Sequence, residues 1–289
     1  MPRTALTRGV AVQALTGKAG RSMFRAKPTK SRGPVVALLA AASLVLAVSG
    51  CGVDRVTPGE ARSKAAAADG KGGEAAKGGK AGASGPVDCA TAKCIALTFD
   101  AGPGEDTPRL LDILKEKQVP ATFFLLGRKH VDRYPEVVKR IADEGHEVAN
   151  HTWTHRILTD LEAGDVREEL SRTQDAIERI TGRRPTLMRP PQGRTDDTVS
   201  EVSRELGLAQ ILWSVTAKDY STTDSALIRQ RVLDGAKGDG IILLHDIYDG
   251  TVPAVPGIID ELKRRGFTFV TVPQLLAPGS AEPGIVYRP

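Results

Sequence analysis

The sequence predicts an α/β protein, a parallel β/α barrel of seven strands, smaller than the usual eight-fold form. Three observations carry that prediction. From Cys94 onward, short apolar runs alternate with helical stretches over about 190 residues. The runs are apolar throughout rather than at every second position, as strands covered on both faces should be. Polar residues suited to chemistry (Asp100, His151, Arg189 and His245, with Asp219 nearby) fall at the ends of those runs. In barrels that C-terminal rim is where active sites sit. An open doubly wound sheet would show the same periodicity, and the rim is what favours the barrel.

The elements follow in order. IALTF ends in Asp100 and leads to a helix from about Thr107, where Thr then Pro is a good helix start. ATFFLL precedes the helix PEVVKRIADEG with its Gly stop. HEVAN leads into NHTWTH and then a long amphipathic helix over 165–180, opened by the capping-box spacing Asp165…Glu168. TLMR is followed by a helix over 197–206, and AQILW by one over 224–233. IILLH precedes the helix IIDELKRRG, and FTFVTV closes with a short terminal helix.

Charge divides the 289 residues unevenly. Residues 1–85 hold 14 Lys and Arg against 4 Asp and Glu, whereas the remainder holds 26 against 31. The basic character therefore belongs to the N-terminal segment, and the globular part has no surplus that would favour nucleic acid. Residues 1–50 read as an export signal: the basic run RAKPTKSRG, then PVVALLAAASLVLAVSG, an apolar stretch of about 17 residues. A start at Met23 would give a signal of more ordinary length. The stretch ends in small residues before Cys51, which resembles the lipobox of bacterial lipoproteins. The resemblance implies an acylated Cys51 as the mature N-terminus, anchored on the outer face of the membrane; a plain membrane anchor with an incidental Cys is the alternative. Ala, Gly, Lys and Glu dominate 51–86, which is expected to be a flexible tether. A catalytic domain over 87–278 and a tail over 279–289 complete the expected organisation, with a monomer expected. In an exported protein Cys89 and Cys94 are expected to pair; a metal site there would need soft ligands that no later Cys supplies.

The candidate residues are individually ambiguous. His151 and His155, four apart, would share a face over one helical turn and could offer two imidazoles to a divalent metal, but such spacing is more often a surface accident. Arg189 in RPPQG could clamp a carboxylate or form a structural salt bridge. His245 in LLHD could be a tuned acid or a satisfied core histidine. WSVTAKDY adds Trp213 and Asp219.

Taken in order, TFDAGP, HTWTH, RPPQG, WSVTAKDY and LLHD resemble the motifs of the polysaccharide deacetylases, the NodB-like carbohydrate esterases. The resemblance covers about Cys94 to Leu276. It implies a distorted seven-fold β/α barrel and a metal-dependent hydrolase that removes acetyl groups from glycans. By resemblance Asp100 is the base that takes a proton from water, and Arg189 orients it. His151 and His155 ligate the metal, usually zinc. The backbone N–H around Gln192 stabilises the oxyanion. His245 is the acid that protonates the leaving amine, supported by Asp219, and Leu244 and Trp213 line the pocket for the acetyl methyl.

The chain departs from this family at Ala101, where a second aspartate usually supplies the third metal ligand. Asp100 itself, Glu105 or Asp106 could provide the missing oxygen; two histidines with extra water could suffice; or the protein could have kept only a glycan-binding groove. Gln192, Thr216 and Tyr220 also differ from the usual residues, which bears on subsite preference. An acetylated glycan is the expected partner: peptidoglycan first, with chitin-type oligomers or acetylated xylan as alternatives.

Overall fold

The computed structural model describes residues 55–69 and 87–289. The export signal, Cys51 and residues 70–86 of the expected tether lie outside the described residues.

β2 (Cys94–Asp100) is buried along its whole length, and its alternating side chains divide between two layers. Cys94 and Ala96 join a cluster with Phe124, Ala149, Leu187, Ala209 and Ile241. Ile95, Leu97 and Phe99 join another with the helix residues Leu110, Leu114 and Ile258. The small side chains of β2 thus face the concave side, and its large ones meet the helices.

On one side of β2 lie β3 (Thr122–Leu125), β4 (Glu147–Asn150), β5 (Leu187–Met188) and β6 (Ala209–Ile211). On the other lie β8 (Gly240–Leu244) and then β7 (Val215–Thr216), every pairing parallel. Between β6 and β7 the chain crosses the seam left at the two ends of this order: Leu212 N–H donates to Tyr287 O, and Ser214 N–H donates to Ile241 O. The sheet is curled into a half-barrel, the distorted β/α barrel that the sequence predicts. Its strand count is reached differently, because β7 is an extra short strand. β9 (Thr268–Val270), the last predicted strand, pairs with Cys94–Ala96 of β2, while β3 pairs with Thr98–Asp100.

The helices α2 (Thr107–Lys117), α3 (Pro135–Asp143), α4 (Ala163–Thr181), α5 (Asp197–Glu205), α6 (Ser225–Gly235) and α7 (Thr251–Arg264) pack neighbour on neighbour over the convex face. Each buries one stripe, as Val137, Val138 and Ile141 do on α3. The predicted capping box at Asp165 does not form. α4 starts two residues earlier after Glu162, and Asp165 pairs with Arg156 instead. Asp224 does cap α6, accepting from the N–H groups of Ala226 and Leu227. Cys89 and Cys94 form the expected disulfide at the start of β2.

Both ends of the described chain depart from expectation. Residues 55–69 are not a tether: β1 (Arg55–Val56) and α1 (Pro58–Asp69) dock on the domain. Thr57 and Glu60 cap α1 reciprocally, Thr57 N–H donating to Glu60 Oε2 at 2.7 Å and Glu60 N–H to Thr57 Oγ1 at 3.2 Å. Arg62 pairs with Asp239 at 2.6 Å and donates to Leu275 O, near the end of α8 (Val272–Leu276). The expected tail contains β10 (Val286–Tyr287), a parallel strand between β6 and β1 that buries Tyr287.

Candidate active site

The C-terminal end of β2 delivers Asp100, and β5 is followed by Arg189; both are buried. Arg189 Nη1 donates to Asp100 Oδ1 at 2.6 Å and to Thr98 Oγ1 at 2.8 Å, while Nε donates to Ile211 O at 2.9 Å. Its guanidinium lies 4.0 Å from the centre of the Phe124 ring, so packing as well as charge fixes it. One Asp100 oxygen is thereby held, and the other faces His151, with Oδ2 3.9 Å from Nε2.

His151 and His155 do come together, with ring centres 4.9 Å apart, but no helix brings them there. Residues 151–157 are a loop in which Thr152 and His155 take positive φ, 71° and 64°. A helical turn is replaced by two left-handed residues and by an anchor from α4. Buried Glu169 accepts from the N–H groups of Trp153 and Thr154 and from the Thr154 hydroxyl. His151 Nδ1 lies 2.7 Å from Arg189 O. Only a protonated Nδ1 can donate to a carbonyl, so Nε2 is left with a free lone pair. Burial pushes the His151 imidazole down to about 4, against the pull of Asp100, and also lowers His155. Neutral imidazoles are the form that binds metal.

The fit to a divalent cation is chemically sound and structurally incomplete. Zinc–nitrogen and zinc–oxygen bonds of about 2 Å each can span the separation between His151 Nε2 and Asp100 Oδ2. Two imidazoles and one carboxylate oxygen line that space, but among the described residues no three His, Cys, Asp or Glu side chains gather into a tight metal cluster. Ala101, buried beside Asp100, brings only a methyl group. Of the other oxygens weighed, Glu105 is largely exposed and leans toward Arg133 at 3.7 Å. Asp106 precedes α2 without capping it, and no contact ties it to either histidine. Asp100 is the carboxylate that the fold brings to the pair.

Across the mouth, His245 follows β8, and Asp219 opens the turn Asp219–Ser221. Asp219 Oδ1 lies 2.9 Å from His245 Nδ1, while Oδ2 accepts from His245 N–H at 2.6 Å and from the Thr251 hydroxyl at 2.9 Å. Burial pulls the imidazole down, but the hydrogen bond it donates to Asp219 and the charges of Asp100 and Asp219 outweigh it, so the net shift is upward. The register pairs Phe99 with Leu244, so Asp100 and His245 leave neighbouring strands at the same level, and the charge of Asp100 favours the protonated form of both His155 and His245.

The predicted pocket residues divide. Trp213 lies at the cleft, 5.7 Å from the Arg189 guanidinium and over Gly193, where a Cβ would come within 2.9 Å of the indole. Gln192 is exposed on the same turn with φ 57°. Leu244 is misplaced by the sequence reading. The register pairs it with Phe99 on the helix side, and it packs in that cluster. Leu243, paired with Thr98, shares the concave side with Ile241 and is the leucine that faces the cleft. One residue of register decides this, because strand side chains alternate. Sequence reading also missed Thr98, Thr251 and Glu169. Only Glu169 leaves a trace in the sequence, as a charge on the buried stripe of α4 between Val166 and Leu170.

Comparison with known proteins gives the chain a family. Residues 88–211 match the family described as polysaccharide deacetylase. The peptidoglycan-N-acetylglucosamine deacetylase PgdA of Listeria monocytogenes is 41% identical over 186 residues, covering 64% of this chain and 39% of that protein. The chain thus spans about two fifths of the length of that curated relative. A solved structure described as T48 deacetylase with substrate superposes with a TM-score of 0.67 at 43% identity, over 70% of this chain and 99% of that one. BA3943 of Bacillus anthracis, described as a CE4 family pseudoenzyme, superposes at 0.62 with 29% identity over 68% of this chain and 70% of its own. A mutant of it, described as having restored enzymatic activity, superposes at 0.61 with 32% identity over 64% and 68%.

Proposed function

The chain belongs to the polysaccharide deacetylase family, and from that premise we propose that it is a metal-dependent hydrolase removing acetyl groups from N-acetylated cell-wall polysaccharide, peptidoglycan first. One observation carries the reading: a held carboxylate at Asp100 and a carboxylate-backed imidazole at His245 flank the same cleft as two neutral histidines. Hydrolysis of an acetamide needs exactly two proton transfers placed on opposite sides of the carbonyl, and these groups supply a site for each.

In this reading His151 and His155, with Asp100 Oδ2, would hold zinc or a similar divalent cation. When bound, that cation supplies a Lewis acid for the acetyl oxygen. Arg189 holds Asp100 Oδ1 and fixes the carboxylate at the cleft. Asp100 takes one proton from the attacking water, and the water oxygen bonds to the carbonyl carbon. The backbone at Gln192 faces the developing oxyanion, and Leu243 with Trp213 excludes water around the methyl. His245, whose pKa is raised by its pairing with Asp219 against its burial, gives a proton to the nitrogen as the carbon–nitrogen bond breaks. The products are a free amine and acetate.

Export fits this substrate. The Cys89–Cys94 disulfide belongs in an oxidising compartment, and no described helix is long and apolar enough to cross a membrane. A lipid anchor at Cys51 would hold the domain facing the wall. The test is acetate release from peptidoglycan and from N-acetylglucosamine oligomers, with and without added zinc or cobalt. Release that depends on the cation is expected.

Ala101 favours a second reading, a carbohydrate-binding protein that has lost turnover on the same scaffold. The pseudoenzyme neighbour shows that this scaffold tolerates such a loss. Glycan binding without acetate release at any cation concentration would decide for it.

A further inference from the structure

Among the described residues, two large hydrophobic side chains are left exposed, Tyr220 at 58% and Tyr248 at 37%. Single exposed aromatics are ordinary on a protein surface. These two are not scattered. Tyr220 stands edge-to-face with His245 at a centroid distance of 6.2 Å and an interplanar angle of 82°. Tyr248 does the same at 5.4 Å and 68°. They come from different elements, Tyr220 from the turn Asp219–Ser221 and Tyr248 from the loop between β8 and α7. Both backbones are tied down: Tyr220 N–H donates to Asp219 Oδ1 at 3.2 Å, and Tyr248 O accepts from Thr251 N–H at 3.0 Å.

The opposite side of the cleft has no equivalent. Trp153, beside the histidine pair, has the Arg172 guanidinium 4.5 Å from its ring centre, so that face is covered. Trp213 is part-buried over Gly193 on another wall, so among the described residues the exposed large aromatics of the cleft are the two tyrosines beside His245.

We propose that Tyr220 and Tyr248 together form a subsite for a pyranose ring, seating the sugar next to the one whose acetyl group is removed. A pyranose presents an apolar face of C–H groups and a rim of hydroxyls. An exposed tyrosine presents an apolar ring face and a polar tip, so the two match without a charged contact. With both rings against the proton donor, the chain of sugars is steered past His245, and the leaving nitrogen is brought toward its imidazole. The ligand class is an N-acetylhexosamine chain of at least two sugars rather than a free monosaccharide. This deepens the deacetylase reading and rests on it for the identity of the glycan.

The experiment uses the intact protein and its Tyr220→Ala, Tyr248→Ala and double variants, with Tyr→Phe at each position as rescue. N-acetylglucosamine pentamer and monosaccharide are compared, by kcat/KM from acetate release and by calorimetric binding. The ratio of pentamer to monosaccharide kcat/KM is expected to fall by about tenfold for each ring removed. The loss should appear mainly in KM, and phenylalanine should restore most of it. Pentamer affinity should weaken in parallel. Equal losses on pentamer and monosaccharide, or a double variant that binds the pentamer as the parent does, would overturn the subsite. If the parent binds the pentamer but releases no acetate, the deacetylase reading fails while the binding comparison still decides the subsite.

Discussion

At Ala101 the backbone takes φ 62°, a left-handed conformation that a β-carbon tolerates poorly but that aspartate adopts more readily than most residues. The next residue, Gly102, admits no side chain, because a Cβ there would collide with the buried Asp246 carboxylate. The turn is thus built to present residue 101 at a fixed place, whichever side chain stands there. Ala101→Asp is therefore expected to fold and to bind zinc at least about tenfold more tightly by calorimetry. Unchanged affinity would mean that residue 101 does not reach the cation that the histidines and Asp100 would hold. Across the cleft, the hydrogen bond and charge of Asp219 are what lift His245 against its burial. The stability this pair contributes is fully present below the ordinary imidazole pKa and lost as pH rises through the raised one. In Asp219→Asn the imidazole loses its charge at lower pH. The alkaline limb of the kcat/KM profile should move toward acid, and turnover near neutral pH should fall by about a hundredfold. A profile that kept its shape would remove His245 from the role of proton donor.

Among the elements, the loop 151–157 and the segment 55–69 show how local pattern and tertiary contact divide the work. The loop carries both candidate ligands, and its two left-handed residues are stable because Glu169 of α4 satisfies the backbone that a helix would have satisfied internally. Spacing alone suggested a helix because four-residue separation is the same in either structure. Residues 55–69 looked like a tether from composition. A reader of local signals had a warning in TPGE, which carries both the capping-box spacing and Pro at the first helical position. What composition could not show is the partner: Asp239 and Leu275 O, far along the chain, receive Arg62. Arg62→Ala should cost about 2 kcal/mol, from a part-buried ion pair and a stranded carbonyl. It should lower the urea midpoint without altering cation affinity. A midpoint equal to the parent's would mean that α1 is held by its apolar contacts alone.

On the scale of the whole molecule, the half-barrel gathers residues from the ends of β2, β4, β5 and β8 into one cleft while its body stays dry. His146 belongs to that body. It is 5% exposed, its Nδ1 accepts from Ala121 N–H at 3.1 Å, and burial pushes its pKa down to about 4 from the ordinary 6.5. Between those values the unfolded chain binds a proton that the folded chain refuses, so stability falls as pH falls through this window. The loss from this residue between pH 7 and pH 5 should be about 2 kcal/mol. His146→Gln can keep an acceptor for Ala121 without titrating and should flatten the urea-unfolding stability against pH. The same slope in both proteins would assign the acid sensitivity elsewhere.

The order of strands and helices, the disulfide and the identity of the chemical residues were set by the sequence itself, because apolar runs, capping residues and ordered motifs are local or one-dimensional signals. Which leucine faces the cleft, how two histidines four apart meet, which carboxylate reaches them and where the chain's two ends are bound were decided only by the tertiary structure. Each of those depends on strand register, or on a partner distant in sequence, and neither has a signature in the residues that need it.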